Sequence, residues 1–454
     1  KPGLLVFQDG GGFADRNGAY RLPTVLDNLI AAGDMPPCVA VLVNPGVVPA
    51  GDNSKQLPRY NRSVEYDGID GRYARFLIDE LVPEALRRAG VQVDPNPANH
   101  VIGGASSGGI AAFTAAWNRP DYFGKVLGFI SSFTDLRGGH GYPTLLRKTE
   151  PKPLRIYLQE GTNDQDIYSG SWPIGNEDVV AALRFAGYDL RYVTGPGGHD
   201  GRQASAVLPE ALKWLFRPDP LPTGGANGRQ PVFQQCLLPG EGWKPVETPR
   251  TVDAMATLAD GTLVAVGDGV LWRVADNQVL RRDTGPVAHI AAAADGSLVA
   301  AVPTKKQVVR WSVDGKEKSI ARGLRTVAVA PHQSGGTYVL EEGSGRIWRI
   351  GPDGKRAVVD NGLPGARSLC LVPDQSLLLV APDPATGKYG LSLRIRPDGT
   401  LGDRQHYHDI AAPYADPGTG ASAMAVDQNG WLYVSSHLGI QMLDQAGRVN
   451  GIVL

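Results

Sequence analysis

Along the first half of the chain, short apolar runs alternate with stretches whose apolar positions recur every three or four residues. The runs are LLVF (4–7), CVAVLV (38–43), HVIG (100–103), KVLGFI (125–130), LRIYLQ (154–159) and LRYV (190–193). Runs this short and continuous suit strands buried on both faces. YARFLIDELVPEALRRAG (73–90) and NEDVVAALRFAGY (176–188) carry the period of amphipathic helices. Strands alternating with helices predict a parallel sheet covered on both faces, the doubly wound α/β arrangement. The pattern changes near residue 220. RPDPLPTGGANGRQP (217–231) is dense in proline, glycine and polar residues and reads as a linker. Beyond it come ADGTLVAVGDGVLWRV, ADGSLVAAVPTKKQVVRWSVDG, SGGTYVLEEGSGRIWRIGPDG, PDQSLLLVAP with LRIRPDG, and QNGWLYVSSHLGIQMLDQAG. Each unit is turn, strand, turn, strand, at the roughly 40-residue period of propeller blades. The expected organisation is an α/β domain over 1–217, a linker over 218–235 and an all-β propeller over 236–454.

Composition adds mainly exclusions. With 42% hydrophobic and 20% charged residues in 454, the chain has ample material for globular cores. The formal net charge of −1 is spread without blocks of one sign, so nothing attracts nucleic acid. No apolar run reaches the roughly 18 residues needed to span a bilayer, and no signal sequence is visible at Lys1, so no membrane insertion is expected. The chain starts without Met, as expected of a processed chain or a fragment. Cys38, Cys236 and Cys370 lie far apart without metal-ligand spacing and read as buried free thiols.

Candidate chemistry centres on HVIGGASSGGIAAF, where two serines sit among glycines between a strand and an alanine-rich helix. A nucleophile elbow needs small residues two before and two after its serine, because larger side chains would clash in so sharp a turn. Gly104-Ala105-Ser106-Ser107-Gly108 fits with Ser106 at the centre; centring on Ser107 is poorer. Ser107 then supplies a backbone N–H to the oxyanion hole. A serine needs a histidine to take its proton, and the histidine needs an acid to hold its tautomer. In such folds the order is Ser, acid, His, which leaves His199 in TGPGGHDG; His100 begins the elbow strand and His140 precedes any later acid loop. In EGTNDQD, Asp164 is preferred over Asp166, with Glu160 third because it still lies at the strand end. The second oxyanion donor is expected from VFQDGGGF, at Gly11 with Gly10 as the alternative, and Asp9 reads as a brace for that loop. Trp172, Tyr168, Arg137 and His140 are candidates for the substrate pocket.

VFQDGGGF, RSVEYDGIDGRYARFLIDELVPE, GGASSGGIAAF, LQEGTNDQD, NEDVVAALRFAGYDLRYVTGPGGHDG and LPEALKWLF resemble the esterase family that includes enterochelin esterases and feruloyl or acetyl-xylan esterases. The resemblance implies an α/β-hydrolase fold and places the family's serine, acid and histidine on Ser106, Asp164 and His199. Members carry further strands before VFQDG, so an N-terminal truncation is expected, and the family favours a periplasmic or extracellular setting. Residues 236–454 resemble the gluconolactonase and regucalcin-like propellers through their DG turns and MAVDQNGWLYVSSHLGIQMLDQAGRVNGI. That implies a six-bladed type, incomplete here because no closing blade is recognisable before Leu454. Those propellers hold a divalent metal on acidic and amide side chains. Here Ser422-Ala423-Met424 stands where they have Asp-Gly-Met, Arg367 stands where they have Asn, and Asp253 alone could match the first acidic ligand. No metal and no cofactor are expected. The resulting expectation is a serine carboxylesterase acting on a small-molecule or carbohydrate-linked, aryl or siderophore-type ester, with the propeller as an accessory or binding module. The alternatives are a metal-dependent lactonase in the propeller and a binding protein without catalysis.

Overall fold

The computed structural model describes residues 1–51, 57–225, 231–236, 244–312, 316–414 and 418–454. The chain divides into two compact units, Lys1–Gly240 and Glu241–Leu454.

The first unit is built on six parallel strands: β1 (Gly3–Gln8), β2 (Cys38–Val43), β3 (His100–Ala105), β4 (Lys125–Phe129), β5 (Arg155–Gly161) and β6 (Asp189–Gly195). Their order across the sheet is β6-β5-β4-β3-β1-β2. Successive side chains of a strand enter opposite layers. Leu4, Val6, Ile102, Val126, Ile156 and Leu158 pack on one face with Ile110 and Phe113. Leu5, Phe7, Val101, Leu127, Phe129 and Tyr157 pack on the other with Leu208 and Leu212. Both faces are therefore dry, which is why the strands read as unbroken apolar runs. The helices that matter for the site are α1 (Gly10–Ala14), α2 (Leu22–Ala31), α3 (Ser107–Asn118), α4 (Trp172–Ala186) and α5 (Gly201–Leu215). The helical stretch expected at 73–90 forms, but its middle turn, Phe76–Leu81, widens to π geometry.

The expected linker, 218–235, is in part packed against this unit. Buried Arg155 pairs with Asp189 at 2.8 Å, and its guanidinium also donates to the carbonyls of Asp219 at 2.7 Å and Pro220 at 3.0 Å. Gly225 N–H donates to Pro151 O at 2.8 Å. Composition suggested a loose connector, but a buried guanidinium needs acceptors, and these carbonyls supply them. Pro231–Cys236 is a short helix, while 226–230 and 237–243 lie outside the described residues. Cys38, Cys236 and Cys370 form no disulfide and are half-buried rather than fully buried. Among the described residues, no helix is long and apolar enough to cross a membrane.

The second unit consists, among its described residues, of five four-stranded antiparallel sheets. Their inner strands, Ala254–Thr257, His289–Ala292, Thr326–Pro331, Leu369–Leu371 and Met424–Val426, are neighbours in that succession, which is a five-bladed propeller arrangement. The DG repeats are its turns. Gly261, Gly296, Gly354 and Gly399 all have φ between 78° and 84°. Each preceding aspartate, at 260, 295, 353 and 398, accepts the N–H two residues on at 2.9–3.1 Å. An Asx turn closed by a left-handed glycine accounts for the repeated dipeptide. Third strands of the first three blades carry Trp272, Trp311 and Trp348, each under an arginine guanidinium.

Candidate active site

The site lies where β1, β3, β5 and β6 end, on the carboxyl edge of the parallel sheet, where α/β folds place their ligands. Between β3 and α3, Ser106 takes φ 60° and ψ −124°, a strained conformation for a residue with a side chain. The turn is held from both sides. Ser106 N–H donates to Phe129 O at 2.9 Å, and Ser106 O accepts from the N–H groups of Gly109, Ile110 and Ser132. The glycines are steric requirements: a Cβ on Gly104 would stand 2.4 Å from Gly108 O, and one on Gly109 would stand 2.4 Å from Ser131 Oγ. This strained turn projects Ser106 Oγ out of the sheet edge.

Ser106 Oγ lies 2.9 Å from His199 Nε2, and His199 Nδ1 lies 2.6 Å from Asp164 Oδ1. The three side chains that the sequence singled out are thus one hydrogen-bonded line. Asp166, its competitor, is exposed in a short strand, Asp166–Ile167. The turn after β5 selects Asp164: its N–H bonds back to Gly161 O at 3.1 Å, which folds the side chain under the loop that carries His199. Asp164 Oδ1 also accepts Gln165 N–H at 2.5 Å. Burial works to raise the Asp164 pKa, but the hydrogen bonds from His199, Glu160 and Gln165 outweigh it and leave the carboxyl below its ordinary value. His100 is a core residue whose ring nitrogens face Tyr122 O at 2.9 Å and Asp94 O at 2.5 Å.

One expected donor is differently engaged. Gly11 N–H already donates to Asn44 Oδ1 at 2.9 Å, because Asn44, just past β2, reaches over the start of α1. The N–H groups of Gly10 and Ser107 have no hydrogen-bond acceptor among the described residues, as expected of the first residues of α1 and α3, whose N–H groups have no partner within the helix. Gly10 cannot carry a side chain, since a Cβ would lie 2.3 Å from Leu42 C. Asp9 braces this loop: Arg62 grips its carboxylate with two bonds of 2.9 and 2.7 Å, and its N–H meets Tyr66 Oη at 3.2 Å.

Trp172, the expected pocket residue at the start of α4, is 2% exposed and stands edge-on to the His199 ring with centroids 5.4 Å apart. It packs against the His199 ring rather than offering an open wall. Arg137 donates to Ser63 Oγ at 3.1 Å, and His140 pairs with Asp135 at 3.0 Å. Tyr168 is 93% exposed. Sequence reasoning missed Ser132, whose hydroxyl lies 3.3 Å from Ser106 Oγ, and Asn44. Neither belongs to a motif with a fixed offset from the elbow.

In the second unit, Ser422 Oγ pairs with Ser435 Oγ at 2.9 Å. Among the described residues, no three His, Cys, Asp or Glu side chains come together in a way that could hold a metal ion.

Comparison with known proteins bears on the first unit most directly. Residues 1–202 match the family described as Putative esterase. Over 231 residues the chain is 26% identical to the iron(III) enterobactin esterase of Dickeya dadantii, which covers 48% of each protein. The chain therefore spans about half the length of the curated relative it matches. Among solved structures, an enterobactin esterase from Shigella flexneri aligns with TM-score 0.37 and 23% identity, over 48% of this chain and 53% of that one. A gluconolactonase from Xanthomonas campestris aligns with TM-score 0.38 and 22% identity, over 44% of this chain and 74% of that one. The esterase-matching segment contains all three residues of the hydrogen-bonded line.

Proposed function

We propose that the first unit is a serine carboxylic-ester hydrolase with Ser106 as nucleophile, His199 as base and then acid, and Asp164 as its orienting carboxylate. The single observation that carries this reading is the continuous hydrogen-bonded order Ser106, His199, Asp164 at a strained strand-to-helix turn. The family match over residues 1–202 supports the reaction class. As Ser106 Oγ attacks the ester carbonyl, its proton passes to His199 Nε2. The oxyanion forms beside the N–H groups of Ser107 and Gly10, at the positive ends of α3 and α1. Collapse expels the alcohol, which takes the proton back from His199, and leaves an acyl ester on Ser106. Water, deprotonated by the same nitrogen, then releases the acid.

We propose small-molecule esters of the aryl, carbohydrate-linked or siderophore type as substrates, with the propeller as an accessory or binding module. The relative from Dickeya dadantii is an iron(III) enterobactin esterase, which favours testing catecholate esters alongside aryl acetates, feruloyl sugars and acetylated xylan. The deciding experiment measures hydrolysis by the full chain with a strong chelator, with an organophosphate, and after Ser106→Ala. Ester hydrolysis should survive the chelator and be lost in the other two conditions. A chelator-sensitive lactonase persisting in Ser106→Ala would give the main activity to the propeller.

A further inference from the structure

Behind the catalytic line lies a second carboxyl group that the proposed mechanism does not use. Glu160, the penultimate residue of β5, is 1% exposed, and the Asp164 side chain beside it is fully buried. Glu160 Oε1 accepts Gly161 N–H at 2.8 Å. Asp164 Oδ1 serves His199 and Gln165 N–H. That leaves Glu160 Oε2 and Asp164 Oδ2, both buried and both without a partner among the donors present. The two carboxyl groups lie close enough to act on one another's titration. Two ionised carboxylates that close together in a buried site would repel, with two buried acceptors unsatisfied. One proton between them satisfies both.

We infer that Glu160 is a positioning residue for the triad acid: its carboxyl is protonated and donates to Asp164 Oδ2, which holds Oδ1 turned toward His199. This inference rests on the serine hydrolase reading. The proton belongs on Glu160 because Asp164 accepts from His199, the group that becomes cationic during attack, and from Gln165 N–H, whereas Glu160 is supported only by neutral donors, Gly161 N–H and the Asn176 amide. The other groups facing Glu160 leave that assignment in place. From α4 comes the neutral amide of Asn176, with Glu177 one residue on, and from β6 comes Tyr192, whose burial raises its pKa and keeps the phenol neutral. Burial first, and then the bond to Asp164, pushes the Glu160 pKa up to about 9. Through Asp164 the arrangement reaches His199: the imidazolium formed during attack faces one net negative charge rather than two.

The test compares Glu160→Gln and Glu160→Leu with the natural chain, using kcat and KM on an aryl acetate from pH 6 to 10.5, alongside Ser106→Ala. Gln keeps a donor at this place and cannot ionise. The natural chain should lose kcat above about pH 9, while Glu160→Gln should stay within about tenfold of it at neutral pH and lack that alkaline decline. Glu160→Leu should lower kcat by about a hundredfold or more with KM changed little, because orientation of His199 acts on the chemical step. An alkaline decline unchanged in Glu160→Gln overturns the inference, as does a Leu variant with kcat near the natural value. If Glu160→Leu fails to fold, the pH profile of Glu160→Gln decides. Activity persisting in Ser106→Ala would instead overturn the hydrolase reading. An inactive Ser106→Ala beside an unaffected Glu160 series overturns the positioning role alone.

Discussion

Ser106 Oγ and His199 Nε2 stand 2.9 Å apart although 93 residues separate them in the chain. On the proposed reading the serine is reactive only as part of a unit, so removing one member should remove most of the effect of all. We expect Ser106→Ala to cost on the order of 10⁶ in kcat on an aryl acetate, while Ser107→Ala, which keeps its backbone N–H, should be mild. Burst kinetics with a chromogenic ester check this: the natural chain should show acyl-enzyme accumulation and Ser106→Ala none. The reverse pattern between the two serines would move the nucleophile.

The acid is separable from its neighbour in the same way. Asp164→Asn keeps the shape but presents an amide to His199 Nδ1, favouring the wrong tautomer, and should lower kcat by about 10⁴. Asp166→Asn changes an exposed strand residue and should stay within about twofold. Equal losses in both variants would show that neither carboxylate orients the histidine.

Stability should also report on the buried carboxyl pair. Glu160 holds its proton in the folded chain up to about pH 9 but releases it near 4.5 once unfolded. Between those values the folded state binds the extra proton, so stability falls as pH rises through this window and is greatest, for this group, below it. The urea midpoint of the first unit should therefore decline from pH 5 to 9, and less steeply in Glu160→Gln. Parallel slopes would contradict the buried proton.

At the elbow, Gly104→Ala forces a Cβ to within 2.4 Å of Gly108 O, a backbone atom that can yield only by moving α3. A loss of about 2 kcal/mol in stability is expected, with activity falling further than unfolding explains because Ser106 moves with the helix. Denaturant melts measured beside kcat separate the two.

Arg155→Met should destabilise by about 3 kcal/mol, because it leaves the carbonyls of Asp219 and Pro220 without their donor and Asp189 without one of its two arginines. Faster proteolysis within 218–225 is the accompanying readout. A variant cleaved no faster would mean that this segment is held by other contacts.

The local rules in the sequence reached far. Elbow glycines at Gly104 and Gly108 are dictated by clashes between residues four apart, so the turn and its serine were legible without knowing the fold. The order serine, acid, histidine, together with the positions of EGTNDQD after LRIYLQ and TGPGGHDG after LRYV, singled out Asp164 and His199. Apolar runs and DG turns gave the two architectures, since a strand buried on both faces and an Asx turn closed by glycine each leave a local trace. Tertiary structure decided whatever depends on who else is present. Gly11 reads like an oxyanion donor until Asn44, 33 residues away, takes its N–H. The proline-rich stretch after 217 reads as a linker until buried Arg155 claims its carbonyls. Trp172 reads as pocket wall until α4 brings its edge against His199. Glu160 reads as a strand-end carboxylate, and its proton exists only because folding strips water from two carboxyl groups at once. Charge state and hydrogen-bond occupancy are properties of an environment assembled from distant segments, and no short window of sequence contains that environment.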